Sequence, residues 1–128
     1  MRLLLDTHTL IWVMNDHRRL GQAARSAIAS STNQIFVSVA SIWEASIKFR
    51  LGKFPLAAAL LDNPRKVLDS MSMEHLPITL EHARLAGSLV HFHKDPFDRM
   101  LAAQARLEDL TMVSVDPVFD DLSVARLW

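Results

Sequence analysis

The chain contains no cysteine, which excludes disulfides, thiolate metal sites and a cysteine nucleophile. Glycine occurs only three times in 128 residues. No Gly/Ser-rich linker, internal repeat or low-complexity tract breaks the sequence. No apolar run approaches the length of a membrane span, and the opening "MRLLLD" is too short for the apolar region of a signal peptide. A cytoplasmic protein with no membrane partner is the expectation. Net charge is absent as well, because 14 basic residues balance 14 acidic ones. The whole-molecule field therefore does not announce a nucleic-acid binder.

Half of the residues are hydrophobic and 22% are charged, so a folded core is expected and extensive disorder is not. The length suits a single domain over residues 1–128 that buries about two-thirds of its unfolded surface. Charge is unevenly distributed. Residues 48–66 hold Lys48, Arg50, Lys53, Arg65 and Lys66 against Asp62 alone, whereas residues 92–128 hold seven acids against four bases. Such runs are usually solvated faces; a basic rim beside an acidic centre would also suit metal-assisted chemistry on a polyanion.

Strand-like and helix-like segments alternate. "RLLL" (2–5) reads as a buried strand and leads into a helix through Met14; residues 15–21 read as a loop and 22–31 as a helix. "IFVS" (35–38) has the β-branched and aromatic content of a strand, and Ser38 caps a helix to about Leu51, ended by Gly52 and Pro55. Asn63-Pro64 opens another helix, "HLPI" (75–78) reads as a short strand, and Thr79 starts a helix to about Val90. Pro96 opens a helix to about Asp109, "TMVSV" (111–115) is a fourth strand, Asp116-Pro117 begins a helical turn, and "VARLW" (124–128) suits an edge strand. Alternation of this kind predicts a three-layer α/β/α domain around a central parallel sheet.

In such a sheet the ligand crevice lies beyond the carboxyl ends of the strands. Asp6 directly follows the first strand, Asp116 the fourth, Glu44 lies two turns into the helix after the second, and Asp98 lies in the first turn of the helix before the fourth. Each has an ordinary explanation. Asp6 and Asp116 fit helix caps, Glu44 precedes Lys48 at the spacing of a helix-surface ion pair, and Asp98 fits a capping box opened by Asp95. Four carboxylates meeting in one crevice would, however, repel one another severely without a cation. An all-oxygen site selects Mg²⁺ or Mn²⁺ over zinc, and metal-dependent phosphodiester hydrolysis follows as the chemistry.

Four segments carry a more specific resemblance: "LLLDTHTLIW" (3–12), "SVASIWEASIKFRLGK" (38–53), "HKDPFDRMLAAQA" (93–105) and "MVSVDPVF" (112–119). In this order they resemble the PIN-domain proteins, most closely the VapC-type ribonuclease toxins of bacterial toxin–antitoxin pairs. The resemblance spans essentially the whole chain. It implies divalent metal, cleavage of RNA, and acidic site positions at Asp6, Glu44, Asp98 and Asp116, all of which are acids here. It also implies a small antitoxin partner. Residues 39–68 carry more large apolar side chains than one helix face needs (Ile42, Trp43, Ile47, Phe49, Leu51, Phe54). They suit a groove for a partner helix, with core packing or a homodimer interface as equal alternatives.

Around the acids, Thr7, Lys48, Arg99 and Ser114 are candidate substrate contacts, through hydroxyl donors and phosphate-pairing cations. Trp12, Trp43 and Phe97 read most simply as core, and His91 and His93 as surface and loop residues. Two other functions stay open: a PIN-like module that binds RNA or protein without turnover, and a nuclease acting on DNA or in RNA processing.

Overall fold

Leu3, Leu4 and Leu5 are completely buried. An apolar run hidden on both faces is the mark of a central strand in a parallel sheet. In the computed structural model, which describes residues 1–128, these leucines form β1 (Arg2–Leu5). β2 (Gln34–Ser38), β3 (Met73–Leu76), β4 (Thr111–Val113) and β5 (Arg126–Leu127) complete the sheet. The strand order is β3-β2-β1-β4-β5, and every pairing is parallel.

Side-chain alternation along the strands divides the interior into two cores. Leu3, Leu5, Ile35 and Val37 face one layer, built from α1 (Thr7–Met14), α2 (Gln22–Ala29), Ala45 of α3 (Val39–Arg50), α4 (Ala58–Asp62) and α5 (Pro64–Ser70). Leu4, Phe36 and Met112 face the other layer, where Leu101, Ala102 and Ala105 of α7 (Pro96–Leu107) pack with Phe119 of α8 (Val118–Asp121). α6 (Leu80–Ser88) lies against α7. The expected three-layer architecture is therefore present.

Caps set several helix starts. Ser38 Oγ accepts from Ala40 N at 3.0 Å, Asn63 Oδ1 from Lys66 N at 3.2 Å, and Asp95 Oδ1 from Phe97 N at 2.8 Å. Gly52, just beyond α3, adopts φ +77°, a conformation that L side chains resist. Several boundaries differ from expectation, among them the fifth strand, which spans only Arg126–Leu127 of 124–128. The third strand runs over Met73–Leu76 and not 75–78, because Pro77 has no N–H to continue the ladder with β2. Residues 55–62 are helical, since Ala57 and Leu60 point into the first core. The fourth strand stops at Val113, because Ser114 turns its hydroxyl toward Asp6.

After β1 the chain builds outward through β2 and β3, then returns to lay β4 and β5 on the opposite side. The order thus reverses between β1 and β4. At that point the connections leave in opposite directions and a crevice opens beyond the strand ends.

Candidate active site

Asp6 stands at this reversal. Its backbone N–H donates to Val113 O (3.1 Å), which ties it to β4, and its carbonyl accepts from Leu10 N (3.0 Å) at the start of α1. Its carboxylate is engaged twice. Oδ1 accepts from Thr7 N at 2.7 Å, and Oδ2 from the Ser114 hydroxyl at 2.7 Å. Ser114 Oγ in turn accepts from Asp116 N at 3.0 Å. One buried hydroxyl therefore links the acids that follow β1 and β4, and each bond in such a chain polarises the next. Asp116 is half-buried, and its Oδ1 accepts from Val118 N at 3.0 Å.

Glu44 comes from α3 and is only 3% exposed. Lys48 Nζ donates to its Oε2 at 2.5 Å, whereas Oε1 is buried with no hydrogen-bond partner. An orphaned carboxylate oxygen of this kind is costly to keep out of water. Asp98 lies in the first turn of α7, where Asp95 is the N-cap. Asp98 Oδ2 accepts from His93 Nε2 at 2.9 Å.

All four acids line one cleft of about 470 Å³, together with His8, Trp12, Arg19, Lys48, Asp95, Val115 and Pro117. Burial holds Asp6 above the usual carboxylate range, with Glu44 adding repulsion against the opposing bonds from Ser114 and Thr7 and the nearby His8. Burial likewise pushes Asp98 up to about 7. The His93 bond opposes this rise, and the negative fields of Asp6, Asp95 and Glu44 add to it.

The donor set fits a hard divalent cation. It is all oxygen, crowded with like charge, and contains an unpartnered buried carboxylate oxygen. Only His93, Asp95 and Asp98 bring three ligand atoms within 4.8 Å of one another; the quartet is spread more widely around the cleft wall. That spacing suits an ion such as Mg²⁺, which keeps several waters of its own.

The four candidate substrate contacts diverge. Lys48 lines the cleft, bonds Glu44 and lies 5.1 Å from the centre of the Phe54 ring. Ser114 is fully buried and organises Asp6 and Asp116. Thr7 is also fully buried and donates to Ser41 Oγ at 2.9 Å, away from any substrate. Arg99 points out of the cleft and gives its guanidinium to main-chain carbonyls. Trp43, expected in the core, is 61% exposed and meets Phe97 edge-to-face at 5.1 Å. The buried face of α3 is made by Ala40, Ser41, Glu44 and Ala45, and Trp43 falls outside it.

Sequence reading overlooked three members of the site. His93, expected at the surface, is folded back onto Asp98 by the turn into the Asp95 cap. Arg19 reaches the cleft wall from the loop after α1, and Trp12 from the second half of α1 itself. Only the dense charge of "DHRRL" (16–20) hinted at the first of these.

These features define a class: a parallel α/β domain whose acidic centre sits at the switch point of its sheet. The chain belongs to the PIN-domain family, whose model matches residues 3–125. PIN domains are generally nucleases. Comparison with the curated proteins finds no match. Among solved structures, a chain of VapBC2 from Rickettsia felis, bound to a DNA fragment from their promoter, has a TM-score of 0.70 at 16% identity, covering 99% of this chain and 98% of that one. FitAcB from Neisseria gonorrhoeae has a TM-score of 0.68 at 16% identity, with 98% and 96% covered. VapBC-1 from nontypeable Haemophilus influenzae has a TM-score of 0.68 at 14% identity, with 99% and 97% covered. At these identities the likeness is one of fold. No helix is long and apolar enough to cross a membrane.

Proposed function

We propose that this protein is a Mg²⁺- or Mn²⁺-dependent endoribonuclease, the toxin of a toxin–antitoxin pair, acting as a single domain in the cytoplasm. The observation that carries the reading is the convergence of Asp6, Glu44, Asp98 and Asp116 on one cleft, with Glu44 Oε1 buried and unpartnered. Asp6, Asp98 and Asp116 would hold the cation. When bound, such an ion lowers the pKa of a coordinated water and steadies the oxygens of a phosphodiester.

The chain's own residues supply the rest. Lys48 anchors one oxygen of Glu44 and leaves the other free to orient the attacking water and accept its proton. Ser114 fixes the Asp6 carboxylate, so that it need not reorganise as charge develops. Arg19 and Lys48 on the wall give the phosphate backbone its counter-charge, which an acidic cleft otherwise lacks.

The antitoxin reading is supported by the company the fold keeps. VapBC proteins from two organisms are among the similar structures, as is a toxin–antitoxin complex from Klebsiella pneumoniae, at a TM-score of 0.63 and 19% identity. It is supported also by Trp43, Phe49 and Leu51, which leave apolar surface on and just beyond α3 exposed to a partner helix or a second copy. The deciding experiment is cleavage of a panel of RNAs and matching DNAs with Mg²⁺, Mn²⁺ or chelator. Cation-dependent RNA cleavage that Asp98→Asn abolishes is expected. Undiminished cleavage by that variant would overturn the site.

A further inference from the structure

We infer that Arg99 is a positioning residue for the carboxylate of Asp98, acting through the main chain of residues 86–93 and the imidazole of His93. Successive residues of a helix diverge by about 100°. Asp98 therefore enters the cleft while Arg99, next to it in the first turn of α7, faces the connection from α6. A guanidinium carries five N–H donors, and here all five have a carbonyl. Nε donates to Ala86 O (3.0 Å), Nη1 to His91 O (3.1 Å) and His93 O (3.2 Å), and Nη2 to Leu89 O (2.7 Å) and, longer, to Gly87 O (3.5 Å). The first of these acceptors belong to the last turn of α6, whose carbonyls have no helical partner.

Little else holds this connection in place. Val90 and Phe92 are almost wholly exposed, and only Leu89 is buried in the core. Between 89 and 94 the backbone makes one short internal bond, His91 N to Leu89 O, and one turn closed by His93 N on His91 Nδ1 (3.0 Å). Arg99 therefore sets where residue 93 lies, and His93 passes that placement on through its 2.9 Å bond to Asp98 Oδ2. No hydrogen bond engages Asp98 Oδ1, so the carboxylate is held by one oxygen and presents the other. An outer partner of this kind orients a ligand without touching the ion, and its loss typically weakens metal binding by about 10- to 100-fold. Lysine cannot substitute, since a point charge does not satisfy a fan of carbonyls.

For its cation readout the inference rests on Asp98 being a metal ligand; its other readout needs no metal. The first measurement is ¹⁵N NMR of the histidine rings in the metal-free protein at one fixed pH. Asp98→Asn, Arg99→Gln and Arg99→Lys should all move the His93 Nε2 signal. The ring of His82, buried and bonded to Glu108 Oε1 at 2.8 Å, should stay still and certify the fold. The second measurement is Mn²⁺ titration calorimetry. His93→Ala and Arg99→Gln should each weaken binding about tenfold, and the double variant should be no weaker than His93→Ala within about twofold. An unmoved His93 signal in both Arg99 variants, or about 100-fold weakening in the double variant, would overturn the inference. So would unfolding of both Arg99 variants, which would assign Arg99 to the fold at large. A wild-type protein that binds no Mn²⁺ would sink the metal reading and leave the NMR to decide this one.

Discussion

Replacing Asp98 by asparagine should stabilise the metal-free protein, and the gain should grow with pH. Asp98 titrates at about 7 in the fold, against an ordinary 3.8, chiefly because it is buried. Between those two values the unfolded chain has lost the proton and the native protein has kept it. The native state binds more protons, so stability falls as pH rises through this window and is lowest above 7. At about 1.4 kcal/mol per pH unit, the ceiling on this penalty is about 4 kcal/mol. Asparagine avoids the penalty but gives up the charge-assisted part of the His93 bond, worth about 1–2 kcal/mol. A net gain of about 1–3 kcal/mol is expected at pH 8. For a domain of this size that raises Tm by about 4 °C per kcal/mol. At pH 5 the unfolded carboxyl is still ionised and about 1.6 kcal/mol of the penalty remains, so the asparagine gain should be smaller there by about 2–3 kcal/mol and close to zero. The assay is thermal or urea unfolding in chelator at pH 5 and pH 8. An Asp98→Asn protein that melts at or below wild type at pH 8, or gains equally at both pH values, would refute the assignment of burial and repulsion as the cause.

Cations should reverse the balance: with Mn²⁺ at about 100 times Kd the wild type should gain about 2.7 kcal/mol, and Asp98→Asn should gain almost none in the same melts. In RNA cleavage assays, Asp6→Asn, Asp98→Asn and Asp116→Asn should each lose most activity. Asp121→Asn should retain it, and is a cleaner control than Asp120→Asn, because Asp120 holds Arg126, which donates to Ser114 O. Ser114→Ala should lose activity and also about 1–3 kcal/mol of stability in urea titrations, because it strips a bond from each of two acids. Expression of the wild type alone should arrest growth, whereas Asp98→Asn should not. Co-expression with a small upstream reading frame should restore growth and yield a co-purifying complex; a harmless wild type that still cleaves RNA would remove the toxin reading.

The sheet was legible because its signals are local. Three leucines before Asp6 read as a short buried strand, and capping residues at 38, 63, 79 and 95 mark helix starts within a residue. The cleft acids could be nominated because parallel topology turns strand ends into neighbours. Side-chain destinations were less accessible. Thr7 and Ser114 look alike in sequence, yet one hydroxyl faces Ser41 inside the protein and the other faces Asp6. Arg99 and Lys48 are both cations next to or near an acid; a helical step sends the first away from the cleft, while an i,i+4 spacing keeps the second beside Glu44. His93 was missed because its partner lies across a turn that no periodicity describes.

The reversal of strand order between β1 and β4 also bears on synthesis. A ribosome delivers Asp6 and Glu44 early, on strands and helices that can pair as β1, β2 and β3 as soon as they emerge. Asp98 and Asp116 arrive in the final third of the chain. The bonds that join the two halves of the centre, Asp6 N to Val113 O and Ser114 Oγ to Asp6 Oδ2, span more than a hundred residues. A nascent or prematurely terminated chain thus carries half a centre, with Asp6 and Glu44 but neither Asp98 nor Asp116. Contacts this distant in sequence form late and pay the loop-closure entropy in full. If the cleft degrades RNA, the machinery translating it is spared until Asp116, the last of the four acids, has been added.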